Sequence, residues 1–138
     1  TPAAGSVGPA GGMLLGIMGG ALCFAATNFL KHRVKIDDSL DVFPVHGVGG
    51  ILGTLMAAVL VSTDLGVFSG NGYAEGMTMA SQFGVQVVGV LATGVYTAVV
   101  TIILMKLVGL LTAGNRVTPE QELTGLDITS HDERGYSI

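Results

Sequence analysis

Three long apolar stretches restrict this chain to one kind of surroundings. Thr1 to Leu30 carries no charged side chain, Val42 to Thr63 has His46 as its one ionisable group, and Gly76 to Met105 is again uncharged. Each exceeds the ~20 apolar residues that cross a hydrocarbon layer of about 30 Å. Soluble domains carry roughly a quarter charged residues; this chain carries 12%. In lipid, each backbone N–H and C=O needs a partner within its own segment, which selects the helix. The expected fold class is therefore all-α integral membrane. Three transmembrane helices are expected over about 7–30, 40–61 and 76–111, so that residues 1–113 form the membrane region and 114–138 a polar tail.

The first stretch lacks the basic leader of a secretory signal. With a start at Thr1-Pro2-Ala3-Ala4, the chain reads as the C-terminal piece of a longer protein. Cys23 is the single cysteine, so no disulfide framework is expected. The net charge is -4, and its distribution says more than its size. Lys31, Arg33 and Lys35 lie in the first connection, Lys106, Arg116 and Arg134 at or after the third helix, and the second connection, Ser62 to Glu75, has no basic residue. Positive residues mark the cytoplasmic side. The first connection and the C-terminal tail are thus expected in the cytoplasm, with residues 1–6 and the second connection outside.

Within the first helix Gly8, Gly12, Gly16 and Gly20 recur every fourth residue, a small-residue ridge on which another backbone can pack closely. Asp37, Asp38 and Asp41 cluster ahead of the second helix, where carboxylates cap free N–H groups and complement the helix dipole; a substrate or ion role is the other reading. Pro44 falls in the first turn, where its missing N–H costs least. His46, Gly50, Gly53 and Ala57 share one face, so the imidazole is flanked by small residues. Either a neighbouring helix packs there or space lies beside the ring. An ionisable group at membrane depth is costly and points to function by default, the structural alternative being a buried, hydrogen-bonded histidine. A third helix running Gly76 to Leu111 would be about 54 Å long at ~1.5 Å per residue, so it must tilt, kink or protrude. Its stripe of Gln82, Gln86, Gly89, Thr93, Thr97 and Thr101 suits packing against the bundle, or lining a path.

In the tail, Thr118-Pro119-Glu120-Gln121 has the form of an N-cap, a first-turn proline and a capping-box partner. Gly125 is expected to end that short helix, and Leu126-Asp127-Ile128-Thr129-Ser130-His131 to be extended. Leu126, Ile128, Tyr136 and Ile138 offer apolar anchors. No phosphate-binding loop, zinc-ligand spacing, nucleophile elbow or basic nucleic-acid stripe occurs. An enzyme, a metal site, a cofactor and a nucleic-acid partner are accordingly not expected.

The run Asp37-Asp38-Ser39-Leu40-Asp41-Val42-Phe43-Pro44-Val45-His46-Gly47-Val48 resembles the penultimate transmembrane segment of the ammonium transporter family. The likeness extends along the chain. Pro2-Ala3-Ala4-Gly5 before a glycine-rich span is similar to the family's ninth helix, Gly76 to Leu111 to its long eleventh. Arg116-Val117-Thr118-Pro119-Glu120-Gln121-Glu122, with Gly125-Leu126-Asp127 and Ser130-His131, resembles its cytoplasmic C-terminal region, Asp132 standing where many members have Gly. Related Rh proteins differ around the histidine, so the ammonium branch is preferred.

The resemblance implies the C-terminal part of an eleven-helix fold in the cell (inner) membrane, assembled as a homotrimer with one hydrophobic pore per subunit. His46 matches the second of two pore histidines, the first lying in earlier helices. The implied function is ammonium/ammonia transport. A bare ammonium ion loses its hydration in an apolar pore at prohibitive cost, whereas neutral ammonia passes, and an imidazole offers one donor, one acceptor and a proton site near neutrality. Gly125, Leu126 and Asp127 belong to the implied regulatory tail, and a P-II signalling protein is the implied partner. The alternative is an ammonium sensor signalling through such a partner. A self-contained three-helix assembly is a third reading, which the need for a second pore histidine opposes.

Overall fold

The computed structural model describes residues 1–112 and 114–136. Ala113, at the expected edge of the membrane region, and Ile138, an expected tail anchor, lie outside the described residues. All regular structure among the described residues is helical, and three helices are long and apolar enough to cross a membrane: Pro9–Val34, Phe43–Leu60 and Met79–Leu111. The chain divides into two units, Thr1–Thr93 and Gly94–Ile138.

In the first unit, α1 (Pro9–Asn28) begins with proline at its first position, where the absent N–H removes a donor that would have had no partner. The helix does not stop near Leu30. It continues as a π-helical segment, Phe29–Val34, and ends at Lys35 in a left-handed conformation (φ 60°). Lys31 and Arg33 thus ride on the last turns instead of in a loop. Cations there complement the helix dipole, and their long stems carry the charge out of the apolar layer.

The second helix starts later than Leu40, because Asp41 is left-handed (φ 54°) and breaks the helical path. A π-helical segment, Phe43–Val48, contains Pro44, which is fully buried, and leads into α2 (Gly49–Leu60). Gly47 has no Cβ because the Phe43 ring occupies that space, with a ring carbon 2.9 Å from where one would sit. α1 and α2 are antiparallel neighbours. Gly11 meets Leu60 at one end, and Cys23 Sγ lies 3.1 Å from the Cβ position of Gly49 at the other. Ala57, Ala58 and Leu60 are buried around the upper contact, together with Ala3.

Residues 62–78 form a tightly bonded cap over that end. The N–H of Gly70 donates to Ser62 O (2.8 Å) and that of Gly72 to Val61 O (2.7 Å). The Ser69 hydroxyl donates to Thr63 O (2.8 Å) and the Tyr73 hydroxyl to Ala58 O (2.8 Å). A short 3₁₀ turn, Gly66–Phe68, lies within this stretch. Gly70 has room for no side chain: a Cβ would strike the carbonyl oxygens of Leu60 and Ser6.

α3 (Met79–Leu111) starts three residues after Gly76, which is left-handed (φ 77°). Thr78 and Ser81 cap it reciprocally, each backbone N–H donating to the other's hydroxyl (2.8 and 3.2 Å). At 33 residues the helix is about 50 Å long, well beyond the hydrocarbon layer. No residue of α3 is buried. Of the polar stripe, Gln82 and Gln86 face a cleft of about 170 Å³ shared with Ser6, Ala57, Val61 and Tyr73.

In the second unit the end of α3 is tied down by Asn115, whose amide donates to Met105 O (2.7 Å). α4 (Pro119–Thr124) has the expected capping box: the Gln121 N–H donates to the Thr118 hydroxyl and the Thr118 N–H to the Gln121 side chain. Gly125 ends it at φ 96°. Residues 126–131, expected to be extended, form a second short helix, α5 (Leu126–His131). Three local features support it. The Thr129 hydroxyl donates to Gly125 O (3.0 Å), Asp127 sits in the first turn and His131 in the last, and Asp132 closes the end in a left-handed conformation (φ 51°). Arg116 and Glu122 pair at 3.3 Å on the surface, worth under about 1 kcal/mol.

Candidate functional site

His46 occupies the π-helical segment before α2, at a point where the backbone is wider than an α-helix. Single π-turns concentrate at functional sites. Its side chain is exposed and faces a cleft of about 600 Å³ between α1 and α2. Gly12, Gly16 and Gly19 of α1 form one wall; His46, Gly50 and Gly53 form the facing one. The third wall comes from residues 1–4, a turn that folds back against α2.

Small residues make this space. A Cβ at Gly12, Gly16 or Gly50 would meet nothing within 4 Å. Gly53 differs, because Pro2 Cδ lies 3.0 Å from its Cβ position. Beside the imidazole there is thus free space at Gly50, while Gly53 is packed by the turn that carries Pro2 and not by a neighbouring helix. The glycine ridge of α1 divides in the same way. Gly8 abuts the backbone of Ser69, while among the described residues nothing lies within 4 Å of where a Cβ on Gly12, Gly16 or Gly20 would sit. Within this chain the close approach of α1 to Leu60 of α2 is at Gly11, beside the ridge.

Two polar side chains line the cleft, His46 and Thr1; the rest are glycine, alanine, proline, valine and leucine. Thr1 carried no signal in the sequence, since its place depends on a turn held from elsewhere in the chain. Among the described residues no cluster of His, Cys, Asp and Glu has the arrangement of a metal site.

The three acids do not act alike. Asp38 accepts from the backbone N–H groups of Val42 (2.9 Å) and Phe43 (2.8 Å), satisfying two free donors of the second helix. The Phe43 bond, then the Val42 bond and the nearby Lys31 charge, hold its carboxyl below the ordinary aspartate value. Asp41, expected as a cap, instead pairs with Lys31 Nζ at 2.8 Å, joining the end of the first helix to the start of the second. Its backbone carbonyl accepts the Val45 N–H (3.0 Å), while the helix donors of Val42 and Phe43 are taken by the Asp38 carboxylate. Among the described residues, Asp37 accepts from the Ser39 hydroxyl alone, at 3.4 Å. Gly125, Leu126 and Asp127 lie in the second unit, at the junction of α4 and α5.

An all-helical chain with three spanning-length apolar helices and a histidine-bearing cleft defines a multi-pass membrane protein. Residues 1–136 match the sequence model of the Ammonium Transporter Family, and the chain belongs to that family. An ammonium transporter of Bacillus subtilis (strain 168) is 38% identical over 136 residues, 99% of this chain and 33% of its own length. Ammonium transporter Amt1 of Archaeoglobus fulgidus is 34% identical over 137 residues, 99% of this chain and 34% of its own. An ammonium transporter of Mycobacterium bovis is 37% identical over 142 residues, covering all of this chain and 29% of the relative. The chain thus spans about a third of the relatives it matches.

Proposed function

We propose that this chain forms part of an ammonium/ammonia transporter, and that the cleft between α1 and α2 contributes one side of the conduction path. One observation carries the reading: a single imidazole, exposed on a wall that is otherwise glycine and aliphatic carbon save for Thr1. Such a wall cannot replace the hydration of an ion, and leaving a charge without compensation in apolar surroundings is prohibitive. It suits the neutral molecule, with His46 accepting or donating one hydrogen bond to it. The names of the relatives support ammonium as the substrate. The histidine-pair reading takes its other member from the earlier helices that the family resemblance implies; of the two further histidines here, His32 bonds Asn28 O (3.0 Å) at the end of the first helix and His131 lies in α5, and neither lines the cleft.

The basic residues Lys31, Arg33 and Lys35 and the tail are assigned to the cytoplasmic side of the cell (inner) membrane by the positive-inside rule. Homotrimeric assembly and docking of a P-II signalling protein on the tail belong to the same proposal. The capped α4 and the glycine junction to α5 support the docking role, because six-residue helices are marginal alone and gain order from a partner. Replacing His46→Ala in the full-length protein tests the transport reading. Uptake, or its discrimination between ammonium and potassium, should change while the amount in the membrane does not. Native uptake and native discrimination in that variant would overturn the pore role.

A further inference from the structure

We propose that Asn71 is a positioning residue, which sets the third wall of the His46 cleft from outside the cleft itself. Residues 1–4 form that wall, and they belong to no helix. The turn's internal bonds (Ala4 N–H to Thr1 O at 3.0 Å, Ser6 N–H to Ala3 O at 2.9 Å) shape it but do not hold it in place. Asn71 supplies that restraint twice. Its backbone N–H donates to Ser6 O (3.1 Å), and its side-chain amide donates to Gly5 O (2.9 Å) across 66 positions of sequence.

Asn71 is itself fixed on both sides. Gly70 and Gly72 donate to Ser62 and Val61, at the end of α2. The mechanical path runs from α2 through Asn71 to Gly5 and Ser6, then to the buried Ala3 (1% exposed) and to Pro2, lodged at Gly53 beside the cleft. A loop that merely closed the helix ends would need only the bonds to Ser62 and Val61. The two bonds to the turn act on the wall that carries Thr1, the other polar side chain of the cleft. The width of the cleft beside His46 therefore depends on a residue with no atom in it.

The inference rests on the transport reading for one of its two readouts, so the experiment separates them. Asn71→Asp keeps the size of the side chain but replaces the donor facing Gly5 O with an acceptor. In the full-length protein with Cys23 and any other cysteine replaced, a reporter Ala3→Cys is introduced, at the position of the turn that is buried (1% exposed) while the turn is held. Its rate of modification by a small methanethiosulfonate reagent is then measured in native membranes. Asn71→Asp should raise that rate about fivefold, the factor that one lost hydrogen bond is worth. In uptake assays the half-saturation concentration should shift by a similar factor with maximal rate and membrane amount little changed. Asn71→Gln, which keeps the donor, should restore both in part.

An unchanged modification rate overturns the proposal, whatever uptake does. A shifted rate with unchanged uptake and methylammonium discrimination overturns it as a positioning role. A shifted rate in a protein whose native form takes up no ammonium keeps the clamp and overturns the transport reading instead. Should Asn71→Asp fail to reach the membrane, Asn71→Ser answers the same question, since it keeps the backbone bond to Ser6 and loses the reach to Gly5.

Discussion

Gly70→Ala is the substitution whose cost the structure specifies best. The Cβ position at Gly70 collides with the carbonyl oxygens of Leu60 and Ser6 and lies 2.7 Å from Val61 Cα. All three are backbone atoms, so no side chain can rotate away and the loop itself must move. Overpacking of this kind costs about 1–3 kcal/mol. The movement also pulls Gly70 N–H from Ser62 O (2.8 Å) and strains the Asn71 bond to Ser6 O (3.1 Å), each worth about 1 kcal/mol net. Together these give a destabilisation of about 3 kcal/mol, or roughly a hundredfold in the unfolding equilibrium. Reversible denaturation of the purified full-length protein in mixed micelles, followed by circular dichroism, measures it. Gly5→Ala is the matched control, because a Cβ there meets nothing within 4 Å. If Gly70→Ala lies within about 0.5 kcal/mol of native, the range of ordinary surface substitutions, the close approach of loop, turn and α2 is wrong.

Three further outcomes are expected. Asp38 has a folded-state pKa below its ordinary value, because its charged form accepts the Phe43 and Val42 bonds. The stability it contributes is therefore complete above the ordinary aspartate value and is lost as pH falls through the lowered one; the gap between native and Asp38→Ala should close over that acid range, and a gap independent of pH would refute the capping role. Asp132→Gly removes the side chain from a left-handed position (φ 51°), which glycine adopts without steric cost. Amide exchange in α5 should slow about threefold, matching a gain of ~0.5–1 kcal/mol, whereas faster exchange would show that the Asp132 side chain stabilises the end of α5. Ending the full-length chain after Arg116 removes α4 and α5 and should weaken P-II binding while leaving membrane insertion intact; native uptake, inhibition and affinity in that truncation would make the tail an inert end.

Much of the architecture was written along the chain in short-range terms. An uncharged run of spanning length has one stable solution in lipid, so the helices at Pro9–Val34, Phe43–Leu60 and Met79–Leu111 could be anticipated to within a few residues. Thr118, Pro119 and Gln121 announced α4 for the same reason, since a capping box is closed by residues three apart. His46 stood out because charge and lipid conflict wherever the chain goes.

What the sequence could not carry were contacts whose partners lie far apart or whose backbone is unusual. Which of three acids caps the second helix depended on the left-handed Asp41 and on Lys31, brought near by the π-helical end of the first helix. α5 leaves no mark in the pattern of apolar residues, because its local features are the Thr129 bond to Gly125 O and the positive φ of Asp132. The cleft itself is a tertiary product. Glycines at Gly12, Gly16 and Gly50 only permit space; the antiparallel pairing of α1 and α2 creates it, and a turn held by Asn71 closes one side and places Thr1 on the cleft that His46 also lines. Local sequence determines where a helix can form, since its hydrogen bonds close within four or five residues, whereas the room between two helices is settled only when distant segments meet.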